Sequence, residues 1–314
     1  MKSWPSLLAL SALTVGAALT STAQAAPMAN TITVIPAPEL AAQPPVIADA
    51  AARAAVKQIH VRKIILVGDS TTQVGSGWGG SFCAYHLASS VTCVDLARGG
   101  RSTFDYRAEG SWAIALNEMK TPGYDQVYVL IQFGHNDQPG RPARSTDLAT
   151  EFPANLRGYI TEARAAGAIP VLVTPLTRRA FKDGSLLDDL EPWAAAARQV
   201  ATEMKVPLVD LHTVSANAVQ AMGPRAALDF AEMAPPPDIL AAVKTGTTPS
   251  IAKAAAVPAA DAAPVAETDD KPHGRRNILF DYTHLGVKGA NYFSAMVATE
   301  LARAVPDLRG VLIP

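Results

Sequence analysis

Excess charge of either sign, cysteine and long apolar runs are all scarce in this sequence, and each scarcity excludes something. With 27 Lys and Arg against 28 Asp and Glu, the net charge is −1, so the basic footprint of a nucleic-acid binder is missing. There are two cysteines and six histidines, and neither their number nor their spacing makes a His-x-x-x-His or Cys/His cluster, so no metal site is expected. No cofactor is implied either. No apolar run reaches the roughly 20 residues of a helical membrane span.

Alanine is what the chain has in excess. Of 59 alanines, 29 lie in two stretches, residues 1–60 and 234–275. Setting those aside leaves 212 residues of ordinary composition among the 314, enough for one sizeable core, although the full length alone would allow two domains.

Lys2 precedes an apolar run from Leu7 to Leu19 and then Thr22-Ala23-Gln24-Ala25, a small-residue pattern suited to signal-peptidase cleavage after Ala25. Residues 1–25 therefore read as an export signal, with an uncleaved N-terminal anchor as the alternative, and the mature chain is expected in the periplasm or secreted, without a membrane span. Residues 26–60 read as an Ala/Pro-rich tether and 307–314 as a C-terminal tail. The stretch 234–275 has few large apolar side chains to offset its ordering entropy, so a low-complexity insertion is expected there, either a plain linker or a flap over substrate. In an exported chain, Cys83 and Cys93 invite a disulfide, with two buried thiols as the alternative.

Apolar runs at Ile64–Val67, Val91–Leu96, Val127–Phe133, Ala168–Thr174 and Val206–Leu211 alternate with helical patterns at Thr146–Ala166, Glu191–Lys205 and Gly286–Val305. Five buried strands separated by helices make a parallel sheet covered on both faces, with right-handed crossovers. Ligands in such sheets bind beyond the carboxyl ends of the strands. The first three runs lead respectively into Gly68-Asp69-Ser70-Thr71, Arg98-Gly99-Gly100-Arg101-Ser102 and Gly134-His135-Asn136-Asp137.

Ser70 stands where a strand gives way to a loop, a place equally suited to a turn or a helix cap. The segment Asp281-Tyr282-Thr283-His284 shifts the balance towards a nucleophile. Across so tight a turn, Asp281 can accept a hydrogen bond from His284 Nδ1 while Nε2 points to a serine, which fixes the tautomer and stabilises the imidazolium formed when the serine proton is taken. Capping of the final helix is the plainer role for Asp281 or Thr283. Acyl transfer also needs donors for an oxyanion, and Ser70 N–H, Gly100 N–H and the Asn136 amide are placed to supply them.

Taken together, Gly68-Asp69-Ser70, Gly100, Gly134-His135-Asn136-Asp137 and Asp281-Tyr282-Thr283-His284 resemble the ordered blocks of SGNH, or GDSL-type, hydrolases. Gly77-Trp78-Gly79, Gly100-Arg101-Ser102 and the Thr-His pair are similar more narrowly to rhamnogalacturonan acetylesterases and their pectin-deacetylating relatives. The likeness spans about residues 62–233 and 276–306. It implies a single three-layer α/β/α domain of flavodoxin-like type over residues 61–306, with Ser70 as nucleophile, His284 as base and then acid, and Asp281 orienting it. Ser70 N–H, Gly100 N–H and Asn136 would form the oxyanion hole. The chain departs from those relatives in the insertion before Asp281, and in Val94-Asp95-Leu96-Ala97-Arg98, where relatives often carry an Asn soon after the strand.

Among other residues, His135 either braces the oxyanion loop or has a plain structural role, and Asp69 is expected to hold the nucleophile loop. Trp78 is either core or a sugar platform. Arg101 either pins its loop or touches an acidic sugar, and Arg178 and Arg179 either bind uronate carboxylates or are solvated. His60, His86, His212 and His273 read as surface or packing residues. The expectation is an exported, monomeric serine esterase that removes O-acetyl groups from pectin-type polysaccharide. A lipase, arylesterase or thioesterase of the same superfamily is the first alternative, and a non-catalytic polysaccharide-binding protein the second.

Overall fold

In a computed structural model, residues 60–250 and 280–314 are described, together with Arg53. The signal peptide, residues 26–52 and 54–59 of the tether, and residues 251–275 of the insertion, His273 among them, lie outside the described residues. Every element below belongs to the unit Gln58–Pro314.

Side chains of a strand leave alternately on opposite faces, and in β1 (Arg62–Gly68) both faces are apolar. Ile64 and Leu66 join one core cluster, Ile65 and Val67 the other. A strand buried on both faces must be central, covered by two helical layers. After β1 come α1 (Gly79–Tyr85), β2 (Val91–Asp95), α2 (Asp105–Ala108), α3 (Ser111–Met119) and β3 (Gln126–Gln132). The next elements are α4 (Glu151–Ala165), β4 (Ile169–Val173), β5 (Phe181–Lys182), β6 (Ser185–Leu186), α5 (Glu191–Met204) and β7 (Leu208–Val209). The helices α6 (Leu211–Ala227), α7 (Pro237–Ala242) and α8 (Val287–Ala304) are the remaining α-helices among the described residues from β1 onward.

The main sheet has the order β2-β1-β3-β4-β7, and all four pairings are parallel. This is the flavodoxin-like α/β/α arrangement. One core cluster packs Phe82 and, from α8, Phe293, Val297 and Leu301 against the sheet. The other packs Trp112, Phe152, Tyr159, Ile160 and Val200 against its opposite face. Cys83 of α1 and Cys93 of β2 form a disulfide with their Cα atoms 5.5 Å apart, tying a covering helix to the edge strand.

Several expectations need correction. The helix anticipated from Thr146 begins at Glu151, because Asp147 Oδ1 accepts the N–H groups of Ala149 and Thr150 at 3.0 and 2.8 Å and holds a turn there. Asp183-Gly184, both at positive φ, make the two-residue turn of an antiparallel hairpin, β5–β6, which the apolar runs did not announce. The first part of the expected insertion, 234–250, is structured: it carries α7, and Ile239 and Val243 pack with Leu228 and Tyr282 in a third cluster. Residues 307–314 are not a loose tail. Leu308 and Leu312 are buried, and Ile313 N–H donates to His86 O at 2.9 Å. Among the described residues no helix is long and apolar enough to cross a membrane.

Candidate active site

The chain turns sharply where β1 ends. A Cβ at Gly68 would stand 2.7 Å from the Gln132 carbonyl oxygen, and one at Gly77 2.4 Å from Thr71, so only glycine allows the nucleophile loop to pack this closely. Asp69 is fully buried, and its Oδ1 accepts Thr71 N–H and Thr71 Oγ1–H, both at 2.8 Å. Thr71 Oγ1 in turn accepts from Gln132 Nε2 at 2.6 Å, and Gln132 Oε1 accepts from Trp78 Nε1 at 2.9 Å. Trp78 is therefore the buried end of a hydrogen-bond chain that holds the loop from behind, not a sugar platform. Burial raises the Asp69 pKa, but His135 and the Thr71 donors outweigh it and hold the carboxyl below its ordinary range.

On the far side of the cleft, the turn before α8 folds around one carboxylate. Asp281 Oδ1 accepts the N–H groups of Thr283 and His284, each at 2.7 Å. Its Oδ2 meets His284 Nδ1 at 2.5 Å, and His284 Nε2 meets Ser70 Oγ at 2.8 Å. Burial raises the Asp281 pKa, yet His284 and these two N–H groups bring it down to about 2.

Arg179 was expected among the uronate-binding candidates, and the structure corrects this. It is fully buried behind the turn, where its guanidinium donates to the carbonyls of His284 at 2.7 Å, Thr283 at 3.2 Å and Asp281 at 3.5 Å. Its own N–H donates to Tyr282 O at 2.8 Å. Burial lowers the Arg179 pKa to about 10 against the pull of Asp281, so it remains a cation at neutral pH.

The second and third loops meet beside Ser70. Gly100 has φ +80°, a left-handed conformation natural to glycine. Arg101 pairs with Glu109 at 2.7 Å and donates to Gly99 O at 2.8 Å, so it pins its loop. Its carbonyl accepts Asn136 Nδ2 at 3.0 Å, and Asn136 Oδ1 accepts from Arg141 at 3.1 Å. An amide has two hydrogens, and these contacts use one. Asp137 joins the loops by accepting Thr103 N–H at 3.0 Å and Thr146 Oγ1–H at 2.9 Å. Burial pushes its pKa up to about 6 against those donors. His135 is buried with Nδ1 at 3.4 Å from Asp69 Oδ2, and burial lowers its pKa against the pull of that carboxylate.

Ser70, His284, Gly100 and Asn136 line one cleft of about 710 Å³, together with Gln73, Arg141, Arg144 and Arg178. Arg178 is held at its edge by Thr283 Oγ1 at 2.6 Å, Gln138 Oε1 at 2.6 Å and Asp189 Oδ2 at 3.1 Å. Arg141 and Arg144 escaped the sequence reading. Their only signal was a pair of arginines in the Pro/Gly-rich loop directly after the Asn136 block, and nothing local says that this loop folds back over Gly100.

Known proteins share this architecture. Residues 66–232 match the GDSL-like lipase/acylhydrolase family. The probable rhamnogalacturonan acetylesterase YesY of Bacillus subtilis is 34% identical over 155 residues, covering 47% of this chain and 69% of that protein. The rhamnogalacturonan acetylesterase RhgT of the same organism is 34% identical over 170 residues, covering 52% and 70%. The crystal structure of the Bacillus subtilis protein YxiM superimposes with a TM-score of 0.53 at 22% identity, covering 77% of this chain and 56% of that one. A doubly covered parallel sheet with serine, glycine, asparagine and histidine at its carboxyl rim, in that chain order, thus coincides with a family match over half the sequence: the chain belongs to the GDSL-like lipase/acylhydrolase family and is a carboxylic ester hydrolase of SGNH type.

Proposed function

We propose that the chain is a serine acetylesterase that removes O-acetyl groups from an acidic, uronate-containing plant cell-wall polysaccharide. The carrying observation is the unbroken hydrogen-bond chain Ser70–His284–Asp281 at 2.8 and 2.5 Å, opening into a cleft lined by Arg141, Arg144 and Arg178. His284 Nε2 takes the Ser70 proton as Oγ bonds to the acetyl carbonyl carbon, and Asp281 stabilises the imidazolium. Ser70 N–H, Gly100 N–H and the second amide hydrogen of Asn136 receive the oxyanion, each donor worth roughly 3–4 kcal/mol. The C–O bond to the sugar then breaks, and the sugar hydroxyl leaves with the proton from His284. Water repeats the sequence on the acetyl-enzyme and releases acetate.

The names of the two Bacillus relatives support this reading of the substrate, and so does the chemistry of the cleft, because guanidinium groups match carboxylates. The Cys83–Cys93 bridge and the apolar run behind Lys2 support action outside the reducing cytoplasm.

Acetate release from acetylated rhamnogalacturonan, acetylated polygalacturonate and acetylated xylan tests it. The wild type is expected to prefer the acidic substrates, and Ser70→Ala to lose activity by on the order of 10³-fold or more. Full activity in Ser70→Ala would sink the mechanism. Equal rates on xylan, or a preference for 4-nitrophenyl octanoate over the acetate, would sink the substrate assignment.

A further inference from the structure

His212 opens α6 at the same end of the sheet as the cleft, and it is 1% exposed. Its backbone N–H donates to Thr174 Oγ1 at 2.8 Å, which seats the ring between two sets of acceptors. Nδ1 faces the carbonyl oxygen of Pro175 at 3.0 Å. Nε2 faces Asp188 Oδ1 at 2.7 Å and Glu191 Oε2 at 3.5 Å.

Every one of these three oxygens accepts hydrogen bonds and none donates. A neutral imidazole has one N–H. It satisfies one side and turns a lone pair towards oxygen on the other, which in a buried site is costly. With Nδ1–H donated to the Pro175 carbonyl, the lone pair of Nε2 faces two carboxylate oxygens. A metal ion between them turns that repulsion into ligation, and an Nδ1–H donated to a backbone carbonyl is the usual arrangement of a ligating histidine.

We propose that Asp188, Glu191 and His212 form a divalent-cation site that prefers zinc to calcium and magnesium. One imidazole nitrogen and two carboxylate oxygens, within 4.8 Å of one another, are a donor set that zinc takes, with water as the fourth ligand. Ligand atoms around a tetrahedral zinc stand about 3.3 Å apart, given bonds near 2.0 Å, so the two carboxylates adjust slightly on binding. They are able to do so, because their side chains are 43% and 46% exposed. Arg198 Nη1 holds Glu191 Oε1 at 2.7 Å, which presents Oε2 to the site. The imidazole and the absence of carbonyl ligands disfavour calcium and magnesium, which prefer all-oxygen shells. The site does not depend on the acetylesterase reading, and none of its three residues lines the cleft.

Calorimetric titration of untagged, chelator-treated protein with zinc chloride, calcium chloride and magnesium chloride decides the matter without recourse to activity. Zinc is expected to bind one site with micromolar or tighter affinity, and calcium and magnesium to bind far more weakly. His212→Gln and Asp188→Asn should each weaken zinc by roughly 100-fold or more, beyond the usual effect of losing a group that only supports a ligand. Asp188 is half-exposed, so its variant keeps the test valid if the buried His212→Gln protein fails to fold. Absence of zinc binding at submillimolar concentrations, or Asp188→Asn binding as tightly as wild type, would overturn the proposal.

Discussion

A buried guanidinium that faces carbonyl oxygens instead of a carboxylate is costly to hold, so Arg179 indicates how much the turn it supports needs support. Its fork spans the carbonyls of Asp281, Thr283 and His284, which fixes the direction in which His284 presents Nε2 to Ser70. A lysine keeps the charge but places one compact ammonium where a planar fork stood. Arg179→Lys is therefore expected to lower kcat on 4-nitrophenyl acetate by roughly tenfold to 100-fold, since small misplacements of a catalytic group cost that much. KM should stay close to wild type, because Arg179 does not touch the cleft. A rise in KM with unchanged kcat would instead put Arg179 in substrate binding. The Asp281–His284 pairing was legible because both residues sit on one turn, three positions apart. The Arg179 contacts were not, because they join residues more than 100 positions apart, and a lone Arg-Arg dipeptide carries no sign of what folds over it.

Among the elements, the stretch after Ala234 departs furthest from its local pattern. Its alanines and prolines read as low complexity, yet Pro236 and Pro237 stand at the N-cap and first position of α7, where proline's missing N–H costs nothing. Ile239 and Val243, four positions apart, share one face and bury against Leu228 and Tyr282. Tyr282 lies between the two triad members on the turn, and its hydroxyl donates to Pro249 O at 2.9 Å, so this short helix packs against the back of the active-site turn. Ile239→Ala should cost about 2–4 kcal/mol, read as a lowered midpoint in urea with an unchanged slope. A loss well under about 1 kcal/mol, measured the same way, would mean the cluster is not a packed part of the domain. The five central strands were easier to read because runs buried on both faces leave a continuous apolar signature. The hairpin β5–β6 has two residues per strand and leaves none.

At the scale of the whole molecule, two partly buried carboxyls pull the pH dependence of stability in opposite directions. Asp281 is brought from 3.8 to about 2, so it contributes stability at neutral pH that is lost as pH falls below about 4 towards 2. Asp95 behaves the other way. Burial raises it from 3.8 to about 7 against the Ala97 N–H, and its Oδ2 has no hydrogen-bond partner among the described residues. Its protonated form is favoured in the fold, so the penalty for ionising it grows as pH rises from about 4 to 7 and is complete above that. Asp95→Asn removes the titration. The variant should melt higher than wild type at pH 8, with the difference shrinking as pH approaches 4. A difference independent of pH would show that Asp95 ionises freely in the folded chain.

Local pattern and chain order were enough to specify the frame of this protein. Doubly apolar runs ending in small polar loops dictate a parallel sheet with its site at one rim, and a three-residue spacing suffices to set Asp281 against His284. Which cations reach the cleft was settled in three dimensions alone: Arg141, Arg144 and Arg178 line it, while Arg101 is spent on Glu109 and Arg179 lies behind the turn. Folding likewise brought His212 from the end of β7 to Asp188 and Glu191 at the start of α5. The physical reason is common to both cases. A charged side chain acts where burial and its partners place it, and those partners come from segments whose separation along the chain leaves no trace in local pattern.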